Sequence, residues 1–350
     1  MKHFAIILGM FCFVTIRCWA GEQVGRLTQI EGIVKIHTHP SKVQTAKQDA
    51  RFEGMFYKVA DGKAGDSVEN GNIIRTTPGS KARVVFPNGD QYYVGPATSY
   101  QVSFEKDAGQ DSRPVLLLPY GKIRGVVEKG GPRSKLIIRS KGVTMGVRGT
   151  DFFISSTQPG VEITTLRGEV KVEADTTGSD KKDTKLEPVF VKTGQSVDYV
   201  APITPKKSDE VSANSALETT PPADSPKTET PQSQATLITR KTTHDELVDI
   251  HNVSKIKVDT KETLKDEVKK DVEKLETKAV EMTIRDIKKT DPTLAANIDE
   301  SKMKNTDAVQ TAVIENLMKN APKTPKNLKP FKNQIEPDRD PYNQYFKIEE

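Results

Sequence analysis

The chain has 350 residues, a formal net charge of +5 and 35% hydrophobic residues, enough apolar material for a real core within a highly charged sequence. Its two cysteines, Cys12 and Cys18, and its single tryptophan, Trp19, all lie in the first twenty residues. Removal of that segment therefore excludes disulfides, thiol catalysis and thiolate metal sites from what remains. Lysines alternate with acids without interleaved aromatics, so the basic balance describes solvated surface and no nucleic-acid interface.

In chain order, Lys2 and His3 precede a largely apolar run from Phe4 to Ile16, closed by Arg17 and too short to span a bilayer comfortably. Cys18 and Ala20 around Trp19 form a small-residue cleavage pattern. Together these predict a Sec-type signal peptide over 1–20, cut after Ala20, and a periplasmic or otherwise extracytoplasmic product. A lipoprotein acylated at Cys18 is disfavoured by Arg17, which stands where a small residue is wanted. An uncleaved anchor is disfavoured by the cleavage pattern. After Ala20 no apolar stretch approaches a membrane-spanning length.

All 23 glycines fall at or before Gly194, and no Phe, Tyr or Trp occurs between Val200 and Pro330, so the chain changes character near residue 200. Residues 21–200 alternate short runs of Val, Ile, Phe and Tyr with glycine-centred turns, which predicts a mainly β domain of many short antiparallel strands. Val24–Gln29 and Gly32–His37 read as paired strands, and Ala82–Phe86 with Gln91–Val94 as a hairpin turning at Asn88-Gly89. Three glycine-led elements begin at Glu31-Gly32, Tyr120-Gly121 and Arg167-Gly168. They fit turns of a repeating β unit or ordinary hairpin exits, and the whole fits a sandwich or a solenoid-like stack.

Six prolines among Ser, Thr, Lys and Glu mark residues 201–242 as a disordered linker. A helical segment over 243–320 follows, opened by Thr243 and Glu246 at capping-box spacing, a device repeated by Asp259 and Glu262. Leu264, Val268, Val272, Leu275, Ala279 and Met282 then recur every three or four residues as one apolar stripe. The stripe fits half of a coiled coil, paired with a second copy or another envelope protein, or an intramolecular hairpin against Leu247–Ile250 and Val309–Leu317. Asp291-Pro292 ends the long helix and opens another turn. Residues 321–350 form a Pro-rich polar tail.

The candidate catalytic and metal-binding patterns are incomplete. His37 and His39 share a strand face but lack a third ligand, so they read as neutral surface histidines. Asp107, Gly109 and Asp111 lack the acidic spacing of a calcium loop, and His244 and His251 fit helix polarity. No Gly-x-Ser-x-Gly occurs. The expectation is a non-enzyme with no catalytic residue, metal or cofactor.

The sharpest motif is Gly146-Val147-Arg148-Gly149-Thr150-Asp151. The two glycines allow tight turning on both sides of Arg148, whose guanidinium would bond backbone carbonyls or Asp151, or else anchor a partner's carboxylate. Preceded by Gly65-Asp66, the Asn88-Gly89 hairpin, Gly95-Pro96 and the Gly121 strand, and followed by Thr165–Val170, this order resembles the FecR domain over roughly residues 21–200. The resemblance implies an extracytoplasmic β domain without known catalysis, whose founding members relay a signal from an outer-membrane transporter to an anti-sigma segment. This chain departs from them in having no anti-sigma region ahead of its apolar segment. The expected function is a scaffold or adaptor binding a protein, peptide or cell-wall component, with the linker presenting the helical segment at a distance. The alternatives are a sensor for a separate membrane regulator and a structural protein that self-associates through the long helix.

Overall fold

A computed structural model describes residues 23–46, 49–105, 113–129, 135–157, 160–174, 186–200, 236–257, 266–324 and 347–348. The expected signal peptide, the Asp107–Asp111 segment, Leu264 and linker residues 201–235 lie outside them. The chain builds two facing sheets and changes sheet after nearly every hairpin. Sheet I receives β1 (Gln23–Glu31); sheet II receives β2 (Val34–Ser41), β3 (Ala50–Phe52) and β4 (Met55–Asp61). β5 (Ser67–Glu69) returns to sheet I and β6 (Ile73–Thr76) to sheet II; β7 (Lys81–Val85) and β8 (Gln91–Val94) form a hairpin in sheet I. β9 (Thr98–Glu105) lies in sheet II, and β10 (Arg113–Val126) serves both sheets. The hairpin of β11 (Leu136–Ser140) and β12 (Val143–Val147) is in sheet II, and that of β13 (Asp151–Ser156) and β14 (Gly160–Arg167) in sheet I. β15 (Glu169–Ala174) and β16 (Val189–Lys192) follow in sheet II, β17 (Gln195–Val200) and β18 (Thr236–Lys241) in sheet I.

The fold is thus mainly β, as expected, and its layering is that of a sandwich wound from one end to the other. All pairings are antiparallel except β10 with β11. Alternation explains the layering: Leu136, Ile138, Val143, Met145 and Val147 point inward from sheet II to meet Val84, Tyr92, Ile123, Phe152 and Ile163 of sheet I in one core. β10 passes between the layers at Gly121, whose φ of +101° suits glycine, and a Cβ there would sit 2.4 Å from the Thr98 Cα. The glycine-led elements noted in the sequence are these sheet-changing points. Val24–Gln29 and Gly32–His37 are correspondingly not paired with each other: β1 pairs with β5 and β7, whereas β2 pairs with β4 and β6 across the sandwich.

Two further expectations are corrected. Thr236–Lys241, placed in the linker by composition, is a strand hydrogen-bonded along β17, and Val200 lies opposite Thr236. The linker therefore leaves and re-enters at adjacent points of one hairpin, so it does not space the helices away from the β region. His37 is fully buried against Tyr57 and not a surface residue, while His39, at φ +53°, sits where the β2–β4 register shifts. The bulge breaks the alternation that would have placed the two rings side by side.

The helices are α1 (His244–Ser254), α2 (Asp266–Thr290), α3 (Pro292–Ala296) and α4 (Thr306–Met318). Thr243 and Glu246 form the expected capping box, and Asp291 caps α3 with Pro292 in its first turn. A two-residue strand, β19 (Lys347–Ile348), pairs with β3. No helix among the described residues is long and apolar enough to cross a membrane.

Candidate protein-docking face

Strand register places a row of side chains across the outer face of sheet I. Gln29, Arg83, Tyr93, Arg124, Phe153, Thr164, Ser196 and Arg240 stand opposite one another on successive strands. Directly opposed residues project to the same side, so the row is one surface. By alternation it faces away from the core, where solvent would be expected. The helical unit covers it instead: Arg83 and Arg124 are 0% exposed and Arg167, at the end of β14, is 2% exposed.

Each arginine is met by carboxylates or amides. Arg83 bonds Asp307 of α4 at 2.9 Å, contacts Gln29, and lies 3.5 Å from Glu276 of α2. Arg124 grips Asp151 with two bonds of 2.9 and 2.7 Å and donates to Gln310 of α4 at 2.5 Å. Between them lies the Tyr93 ring, with the two guanidinium carbons 5.1 and 6.0 Å from its centroid. Burial pushes the Tyr93 phenol up to about 12, and it donates to Gln91, which in turn reaches Thr283 of α2. Arg167 bonds Asp286 at 2.6 Å and Thr290 at 3.0 Å, both on α2.

At the far end Arg240 holds three carboxylates: Asp198 at 2.8 Å, Glu246 of α1 at 2.7 Å and Glu162 at 3.0 Å. Burial, then the negative charges of Glu246 and Asp198, push Glu162 up to about 7 against the pull of Arg240. Burial alone would weaken the Arg240 charge, but its bonds to Asp198 and Glu246 outweigh that and raise its pKa. The apolar share of the contact comes from Phe153 and Leu166, which join Leu247, Ile250, Val280, Ile287, Leu294, Val309, Val313 and Ile314 in a second core.

Gly146–Asp151 is the crossing from sheet II to sheet I. Gly146 and Val147 end β12 in extended backbone, and a Cβ on Gly146 would meet nothing closer than 3.9 Å, so only one of the two glycines is conformationally required. That one is Gly149, at φ +63° with a virtual Cβ 2.5 Å from the Lys129 Cβ. Arg148 is exposed, and no bond of its side chain is found among the described residues. Of the bonds expected of Arg148, to backbone carbonyls or to Asp151, the second is made by Arg124 instead, because the crossing turns Asp151 onto the outer face of sheet I under the helices and leaves Arg148 exposed. Thr150 is buried, and its carbonyl accepts from the Val127 backbone N–H at 2.9 Å.

The described part of the α2 stripe is covered in part within the chain. Val272 and Ala279 are buried, Val268, Leu275 and Met282 are partly exposed, and Met282 packs on Gly89 in the β7–β8 turn. The buried side of α2 also carries Thr283 and Asp286, polar positions aligned with Gln91 and Arg167. These, with the four arginines, are what sequence reading passed over. An arginine at an outward strand position reads as ordinary solvent face; the available signal was Asp286 beside Ile287, inside a run of otherwise apolar spacing. No group of three or more His, Cys, Asp or Glu among the described residues could hold a metal ion.

Comparison with known proteins adds one assignment. Residues 72–171, from β6 to β15, match the family model described as FecR protein. No curated protein matches the chain. Two crystal structures of a "putative anti-sigma factor" from Parabacteroides distasonis align at 16% identity over 36% of this chain, with a TM-score of 0.28; the alignment spans 53%, about half, of that protein's length.

Proposed function

Since residues 72–171 carry a FecR domain, we propose that the chain works outside the cytoplasm as a non-catalytic protein-binding module in cell-surface signalling. The observation that carries this reading is the outer face of sheet I. Three of its buried arginines, Arg83, Arg124 and Arg167, lie inside the FecR segment, and two of them take carboxylates from helices outside it. A face completed by another piece of protein, through directional charge pairs and a small apolar patch, has the composition of a protein interface. Arg148, exposed at the sheet crossing, is available for contact beside that covered face. The signalling role is the one the FecR resemblance implies; a cell-wall component is the alternative ligand class.

Photo-crosslinking in intact cells tests this reading, with the probe placed first at Arg148 and then at exposed Lys274 on α2. A specific adduct with an envelope protein is expected from at least one position. Recovery of exported chain without any protein adduct would overturn it, and the N-terminal residue of the recovered chain, expected to be Gly21, reports on export itself.

A further inference from the structure

We propose that the outer face of sheet I is an exchange surface: α2 and α4 occupy its arginines in cis, and an acidic amphipathic helix of a partner protein takes the same arginines in trans. The inference rests on the protein-binding reading above and names the chemistry of the partner. The occupant's side of the contact is acidic and helical, with Glu276 and Asp286 on α2 and Asp307 and Gln310 on α4 facing Arg83, Arg124 and Arg167. A competitor needs carboxylates at comparable spacing on one helical face, with aliphatic residues for Phe153 and Leu166.

The cis fit is incomplete. The Nε of Arg83, the Nη1 of Arg124, the Nε of Arg167 and the Nε2 of Gln310 are buried and meet no acceptor among the described residues. A buried donor left without a partner costs stability, so a helix that supplies carboxylates to these guanidinium edges gains what α2 and α4 forgo. Contacts built on charge pairs are also conditional, because the separated partners regain hydration. The aliphatic core between the two sheets has no such alternative.

The test uses the full chain and a labelled synthetic peptide of residues 266–290, the sequence of α2. Reversing the chain's own occupant charges, with Asp286→Lys and Asp307→Lys together, should open the face. The peptide should then bind the double variant at least about tenfold more tightly than the wild type, since the competing cis contact is weakened. The same peptide carrying Asp286→Lys should bind neither. Equal affinity for both chains, or no binding to the double variant, overturns the inference. Hydrogen exchange on the wild type guards against a variant that fails to fold: amides of α2 and α4 should exchange together and ahead of those in β13 and β14. Exchange of helices and strands in step would overturn the inference as well. A cellular crosslink to a partner, combined with helices that never open, would sink this exchange while leaving the protein-binding reading intact.

Discussion

The two faces of sheet I are both buried, yet by opposite chemistry. The inner face presents Val84, Tyr92, Ile123, Phe152 and Ile163 to sheet II and is held by contact that has no preferred partner. The outer face presents Arg83, Arg124 and Arg167 to helices and is held by partners that must match in charge and position. Burial on the inside thus specifies that the layers close. Burial on the outside specifies which element closes over them and under what conditions.

The largest expected effect breaks the outer face at its centre. Asp151→Ala strands the Arg124 guanidinium, fully buried between Tyr93 and α4, and should cost about 3–5 kcal/mol in urea denaturation. If the loss were below about 1 kcal/mol, the outer face would be far more hydrated than its geometry indicates. On the inner face Ile123→Ala should cost about 2–5 kcal/mol through lost burial and the cavity left behind. Both sites are sealed from water, so neither loss should change much with added salt.

Gly149→Ala strikes the crossing that delivers Asp151 to the outer face. A side chain at φ +63°, with its Cβ 2.5 Å from that of Lys129, should cost about 1–3 kcal/mol from backbone strain alone, together with the displacement of Lys129. Gly146→Ala, in open extended backbone, serves as its matched control and should be nearly silent.

A smaller effect sharpens the comparison through pH. Glu162, with Arg240, Asp198, Glu246 and nearby Lys122 around it, has its pKa pushed up to about 7 from an ordinary 4.5. An acid that is weaker folded than unfolded contributes stability that is full below about 4.5 and is lost as pH rises through about 7. Glu162→Gln should therefore flatten the fall in urea midpoint between pH 5 and pH 8; an unchanged slope would show that Glu162 stays ionised throughout. His37, held down at about 3 chiefly by burial and then by Arg75 and Lys35, acts with the opposite sign. Its contribution is full above about 6.5 and is lost as pH falls toward 3. The smallest effect belongs to exposed Arg148: Arg148→Ala should change stability by less than about 0.5 kcal/mol, so any loss of a cellular crosslink in that variant reports contact and not folding.

Much of the fold was legible because strand alternation and turn glycines are local. The β7–β8 hairpin, the capping box at Thr243 and Glu246, and the Asp291-Pro292 break all follow from neighbouring residues. The Gly146–Asp151 motif was legible as a turn and a landmark, but the partner of Asp151 was not. Which guanidinium meets Asp151 depends on strand β10, twenty-seven residues away in sequence from Asp151 and adjacent in register. The linker was misjudged for a related reason: composition describes residues 201–235 but not that their two ends converge on one hairpin at Val200 and Thr236.

By itself the sequence determined the period and apolar side of many strands and helices and the FecR-like order of turns, since these rest on residue type and spacing along the chain. Only the tertiary structure decided that the outward arginines of β7, β10 and β14 are buried, and that Val272 and Ala279 of the α2 stripe are covered while Met282 packs on the β7–β8 turn. An outward strand position is neutral about what lies above it. Charge becomes buried and directional only when a second surface arrives with carboxylates at the right heights, and those heights are set by helices whose placement no local pattern encodes.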